Sequence, residues 1–155
     1  MSLVEHTTGE LTYKINGAAM TVHNRIGPGY KEEVYEKALA AELQKLGLVV
    51  ERQYPVTVVD RDEVVAVFYL DLFVENRVVV EVKAFCHLLT NDERAQGINY
   101  LKATGAPVGL LLNFGRRSLD HSRIFPGKNL SPVQRIGRDN VRKNITKNQQ
   151  VPKDI

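Results

Sequence analysis

The chain has 155 residues, 43% of them hydrophobic and 25% charged. That length supports one domain with a core of its own, burying roughly 68–70% of the unfolded surface, so neither disulfides nor a structural metal is required. Cys86 is the only cysteine, no basic flank with an apolar run follows Met1, and no stretch approaches about 18 consecutive apolar residues; the expectation is a cytoplasmic protein, neither exported nor membrane-embedded. The net charge of +3 divides into −2 over residues 1–125 and +5 over residues 126–155, and a basic tail of this kind suits either a polyanionic partner or a solvated, disordered extension.

In chain order, Leu11, Ile15, Ala18, Val22 and Ile26 recur at helical spacing, Thr7 with Glu10 forms a capping box at the start, and Gly27-Pro28-Gly29 ends the helix. A second helix carries the stripe Tyr35, Leu39, Leu43 and Leu46, with Gly47 at its left-handed end. Three strands follow. The first, near Val49 to Val59, contains Pro55 and suits a sheet edge. The second, Val64 to Val74, is apolar except for Asp71 and is expected to be covered on both faces. The third, Val78 to Ala84, is interrupted by Glu81 and Lys83. Thr90 and Glu93 cap a helix running to about Thr104, and Val108 to Asn113 reads as a buried strand, which makes the strand-helix-strand unit a right-handed parallel crossover. Beyond an alternating segment, Leu119 to Phe125, the apolar residues thin out, and a loosely docked helix before disorder is the most expected there.

A carboxylate in an apolar strand is costly unless a cation or donors compensate it, so Asp71, Glu81 and Lys83 demand an explanation. A three-residue loop over residues 75–77 sets Asp71 directly opposite Glu81, with their Cβ atoms about 5 Å apart. Lys83 emerges on the same face as Glu81, about 6.6 Å further along the strand. Two readings stay open. The three residues form a buried ion cluster, or the two carboxylates and the Val82 backbone carbonyl hold Mg²⁺, a hard ion that favours oxygen ligands, while Lys83 orients the attacking water and stabilises charge on a phosphate oxygen. The register depends on a loop whose left-handed position falls on Arg77 rather than on Asn76.

These residues resemble the signature of the PD-(D/E)XK nuclease superfamily, an acid on one strand and Glu-x-Lys on the next, here Asp71 and Glu81-Val82-Lys83. The run from Val22 through His23 to Gly27-Pro28-Gly29 leads into Gly29-x-x-Glu32-x-x-Tyr35, which resembles the bacterial GxxExxY proteins of that superfamily, as does Leu112-Asn113-Phe114-Gly115. Gln96-x-x-x-Tyr100-Leu101 resembles the helix motif of RecB-type nucleases. The resemblance implies a restriction-endonuclease-like α/β fold in the order α-α-β-β-β-α-β, a mixed four-stranded sheet of three antiparallel strands plus one parallel, flanked by helices. It implies a domain over residues 1–125, outside which the tail 126–155 is partly disordered or loosely docked.

The implied function is Mg²⁺-dependent hydrolysis of phosphodiester bonds in nucleic acid, DNA most plausibly, with Mn²⁺ as a possible substitute. Asp71, Glu81 and the Val82 carbonyl would be metal ligands, Lys83 the catalytic lysine, and Glu32 and Gln96 the supporting shell. Tyr100, Arg116, Arg117 and Arg123 are candidate nucleic-acid contacts. His23 and Tyr35 belong to the motif without an assigned role, and a packing histidine is the commoner use of such a residue. The alternative is a nucleic-acid-binding module that keeps the fold without cutting. No membrane partner is expected, and cutting both strands of a duplex at once would favour a homodimer. His6, His87 and His121 show no metal-ligand spacing, and Gly27-Pro28-Gly29 lacks the ending of a phosphate-binding loop.

Overall fold

The computed structural model describes residues 6–127. From residue 128 the basic tail lies outside the described residues, and with it the expectation of a disordered or loosely docked extension. Thr7 and Glu10 exchange side-chain and main-chain hydrogen bonds, at 3.1 and 3.0 Å, as the capping box predicts, and open helix α1, Thr8–Ile26. Helix α2, Glu32–Lys45, buries Tyr35, Leu39 and Leu43. Leu46 is not part of its buried stripe: it is the C-cap residue, 50% exposed, because the chain turns away there and Gly47 takes φ +80°.

The strands are β1 Val50–Asp60, β2 Glu63–Val74, β3 Val78–Lys83, β4 Val108–Asn113 and β5 Asp120–Ile124, with helix α3, Asn91–Thr104, between β3 and β4. Their order in the sheet is that of the chain, with β3 and β4 parallel and the other neighbours antiparallel. The sheet therefore has five strands, not four. The alternating segment after Leu119 is the fifth, and it docks because two glycines leave room: Ile124 lies against Gly97 of α3 and Gly109 of β4, where an added Cβ on Gly109 would stand 3.0 Å from it. Pro55 sits on β1 at the sheet edge, as its missing N–H predicts.

Two cores flank the sheet. Helices α1 and α2 pack on Leu72, Val74, Val78, Val80, Val82, Leu110, Leu112 and Phe114; helix α3 packs on Phe73, Val79, Leu111 and Ile124. Strand β2 is not covered along its whole length. Val65 and Tyr69 are 47% and 49% exposed, because the β1–β2 hairpin projects past the helices.

The alternation of faces breaks where the chemistry-bearing residues lie. Leu72 and Val74 face α1 and α2, yet Leu70 packs with Phe73 on the α3 side, so β2 switches parity at Asp71. Opposite it in β1, Gln53 takes φ +50° between the pairs Arg52–Leu72 and Tyr54–Leu70. A local irregularity of this kind re-aims side chains without breaking the sheet. The β2–β3 turn keeps the expected register, with Val74 paired to Val78 and Leu72 to Val80. It does so differently from expectation: the left-handed residues are Glu75 and Asn76, φ +49° and +57°, closed by Arg77 N–H to the Val74 carbonyl at 3.0 Å, with Arg77 as the extra residue.

The ends of β3 and β4 approach so closely that a Cβ on Gly115 would run into the main chain of Ala84 and Phe85. Gly115→Ala is expected to cost about 2 kcal/mol or more in urea unfolding, since backbone cannot yield as a side chain does. Gly17→Ala, with nothing within 4 Å of the new methyl in α1, should instead stabilise by about 0.5–1 kcal/mol.

Candidate active site

The β2–β3 ladder ends at Leu72–Val80. One residue further, the strands part and side chains replace the backbone pairing. The Val82 N–H donates to Asp71 Oδ2 at 2.8 Å, and the Asp71 N–H lies 3.4 Å from Glu81 Oε1. Glu81 is held in place by β3, every residue of which before Lys83 is buried, and is itself only 5% exposed. In an extended strand the N–H and C=O of one residue point to the same side. The Val82 carbonyl is thus directed toward Asp71, whereas the Lys83 carbonyl turns the other way and accepts from Phe114 N–H at 2.8 Å.

Side-chain alternation carries Glu81 and Lys83 to the α3 side, and Lys83 Nζ lies 3.5 Å from Gln96 Oε1. Tyr100, one helical turn beyond Gln96, is buried on the same side with its ring 5.3 Å from Phe68. From the other flank α2 brings Glu32 and Glu36. The structure therefore gathers Glu32, Asp71, Glu81, the Val82 main chain, Lys83, Gln96 and Tyr100 around the parting of the strands.

It adds two residues that were not foreseen. Gln53 donates to both oxygens of Glu36, at 3.1 and 3.0 Å, with Asp71 Oδ1 at 3.5 Å, and Arg52 Nε lies 3.4 Å from Glu36. Glu36 could have been found from its spacing, four residues after Glu32 and inside the apolar stripe of α2. Gln53 carries no such signal, because its position depends on a left-handed backbone in β1.

Electrostatics mark the same cluster. Burial pushes the Glu81 carboxyl well above the ordinary carboxylate range, Asp71 adds to the shift, and Lys83 opposes it. Asp71 is raised by burial against the hydrogen bond from Val82. Glu36 is raised by burial, partly offset by Gln53. Glu32, at an exposed position of the first turn of α2, is raised first by partial desolvation, with Lys83 opposing and Asp71 and Glu36 adding. Burial and the nearby acids push the Tyr100 hydroxyl up to about 12, so it is a proton donor at neutral pH. Four acids with one lysine among them form a site that attracts positive charge.

Among the described residues, no three His, Cys, Asp or Glu side chains form a ready metal cage. The donor set still fits a hard divalent ion that keeps most of its waters: two carboxylates whose charge Lys83 offsets only in part, and a main-chain oxygen at the end of the ladder.

The other sequence candidates stand apart from this cluster. Tyr35 is fully buried; its hydroxyl donates to the Gly27 carbonyl at 2.7 Å and accepts from Tyr30 N–H at 3.1 Å, and its ring stacks on Phe114 at 4.7 Å. His23 is buried with Nε2 2.7 Å from the Arg116 carbonyl, which can only accept, so Nε2 carries the proton. Arg116 and Arg117 lie in the loop after β4, and Arg123 stands on β5 opposite Leu110, on the α1 side of the sheet. No helix among the described residues is long and apolar enough to cross a membrane.

A family model described as the PD-(D/E)XK nuclease superfamily matches residues 9–124. No curated protein matches the sequence. A solved structure, the crystal structure of SSO0001, is similar at 15% identity with a TM-score of 0.41, covering 88% of this chain and 76% of that one.

In metal-free buffer the folded chain holds the Glu81 proton more tightly than the unfolded chain does. This contribution to stability is complete below the ordinary glutamate value of 4.5 and is lost as pH rises through the raised one. Thermal melts in EDTA should therefore show stability falling with rising pH above that value, and Glu81→Gln should flatten the slope; an unchanged slope in the variant would contradict the burial of this charge.

Proposed function

Because the chain belongs to the PD-(D/E)XK nuclease superfamily, we propose that it is a Mg²⁺-dependent phosphodiesterase acting on nucleic acid, DNA in particular, with Mn²⁺ as a working substitute. The observation that carries this reading is the parting of β2 from β3 beyond Leu72–Val80, where Asp71, Glu81 and the Val82 main chain converge beside Lys83. Gly29, Glu32 and Tyr35 support a closer kinship with the GxxExxY proteins.

Asp71, Glu81 and the Val82 carbonyl would hold the ion. When bound, it supplies Lewis-acid polarisation of the scissile phosphate and a lowered pKa for water. The remaining work falls to side chains. Lys83, steadied by Gln96, places an ammonium where negative charge grows on a phosphate oxygen. Tyr100 keeps its proton at neutral pH and offers a hydrogen bond to the same phosphate. Glu32 completes the shell from the solvent side, and Gln53 holds Glu36 by both its oxygens and links it to Asp71.

Asp71→Ala should lower metal-stimulated cleavage of labelled DNA by about a hundredfold or more, and calorimetry should show Mg²⁺ or Mn²⁺ binding lost. The circular dichroism spectrum should stay unchanged, since removing a desolvated acid leaves the apolar cores intact. Lys83→Met should lower kcat by a similar factor while metal binding persists. Cleavage unaffected by Asp71→Ala would overturn the reading. We place the domain boundary at residue 125, so a chain lacking residues 130–155 should cut short substrates at an unchanged rate and bind long ones less tightly at low salt; loss of turnover on short substrates would move the boundary.

A further inference from the structure

At the end of β3 and β4 that carries Lys83 lies a cavity of about 550 Å³, walled by three loops that follow α1, β3 and β4. Pro28 comes from the first, Cys86 and Leu88 from the second, and Arg116 and Arg117 from the third. It is linked to the candidate active site through the chain itself: Cys86 and Leu88 come three and five residues after Lys83, and Lys83 pairs with Asn113, whose successors form the third wall. Ligand crevices of α/β sheets open at this end of parallel strands.

Each wall is fastened from below by a buried polar side chain. Tyr35 bonds the Gly27 carbonyl and the Tyr30 N–H, on either side of Pro28. His23 holds the Arg116 carbonyl. Asn113, fully buried, accepts from Phe85 N–H at 2.8 Å and Gly115 N–H at 3.1 Å and donates to the His87 carbonyl at 2.8 Å, so it ties the second wall to the third. Asp120, which also lines the cavity, accepts from Leu89 N–H at 2.7 Å through one carboxylate oxygen. Three of the motif residues that stand outside the carboxylate cluster thus hold this cavity open.

Its chemistry is two-sided. Among the described residues, Arg116 and Arg117 form no ion pair with an acid, and guanidinium groups match phosphate oxygens. Leu88, 58% exposed, and Pro28 supply apolar lining from the other two loops, a surface of the kind a base covers. A single nucleotide suits a concavity of this size, whereas a paired base can enter only by leaving its helix.

Resting on the nuclease reading, we propose that this cavity holds one unpaired nucleotide of the substrate strand, its phosphate on Arg116 and Arg117 and its base against Pro28 and Leu88. The substrate is then a strand end, flap or single-stranded stretch rather than continuous duplex.

Cys86, exposed and the only thiol, reports occupancy directly. With the full chain in metal-free buffer, the rate of Cys86 modification by a disulfide reagent is measured with and without a 5′-phosphorylated single-stranded trinucleotide, each variant against its own ligand-free rate. Strand binding is followed separately by fluorescence anisotropy. The expected result is about tenfold protection of Cys86, abolished in the Arg116→Ala, Arg117→Ala double variant and retained in Asp71→Ala. If the strand binds but Cys86 stays unprotected, the cavity proposal falls and the nuclease reading stands. If no strand binds, the cavity proposal falls, and the nuclease reading falls with it only if the full chain with Mg²⁺ or Mn²⁺ also fails to cleave labelled DNA. Equal protection by inorganic phosphate would reduce the site to an anion pocket and overturn base recognition; equal protection by a blunt hairpin duplex would overturn the preference for unpaired nucleotides.

Discussion

The structure turns on two acids, Glu81 buried and Asp71 half-buried, at the point where two strands part. Asp71 and Glu81 sit where the β2–β3 ladder would have continued, and the Val82 N–H that would have served the ladder is given to a carboxylate instead. Burying such a pair is unfavourable unless something positive joins it. The cost is supported by the strand that carries Glu81, because Val78, Val79, Val80 and Val82 are packed on two sides, into two separate cores. A site on a strand clamped in this way cannot relax by swinging its acid into solvent.

The parting of the strands itself has a local cause. Gln53 and Asp71 lie at one level of the β1–β2 ladder, and the alternation of faces slips there in both strands. Without the slip, Leu70 would face α1 and α2. With it, the outer half of the hairpin turns its apolar side toward α3, and Gln53 is free to bridge Glu36 and Asp71. The same irregularity that re-aims the hairpin therefore brings α2 and its acids to the site.

A second layer consists of buried polar groups whose hydrogen bonds are spent on loop backbone. His23, Tyr35 and Asn113 touch none of the clustered acids, yet each fixes a loop at the same end of the sheet. Buried donors and acceptors are costly when unpaired, so each of these side chains enforces one loop geometry. Phe114, stacked on Tyr35 and lying near His23, joins two of the anchors through the apolar core.

Much of this was legible in the residues. Helical periods, capping boxes at Thr7 and Thr90, and apolar strands interrupted by Asp71, Glu81 and Lys83 determined the order of the first seven elements, the mixed sheet and the set of charges that needed compensation, because these depend on local spacing and on the cost of charge in an apolar strand. The fifth strand was not legible, since it relies on room left by Gly97 and Gly109 on other elements. Nor was the β2–β3 turn, where Glu75 and Asn76 rather than Arg77 adopt the left-handed backbone. The exposure of Val65 and Tyr69 reflects how far a hairpin outruns its helices, which no run of residues records. Gln53 and the anchoring roles of His23, Tyr35 and Asn113 were decided by tertiary structure alone, because a hydrogen bond between groups far apart in the chain exists only once packing has fixed both ends.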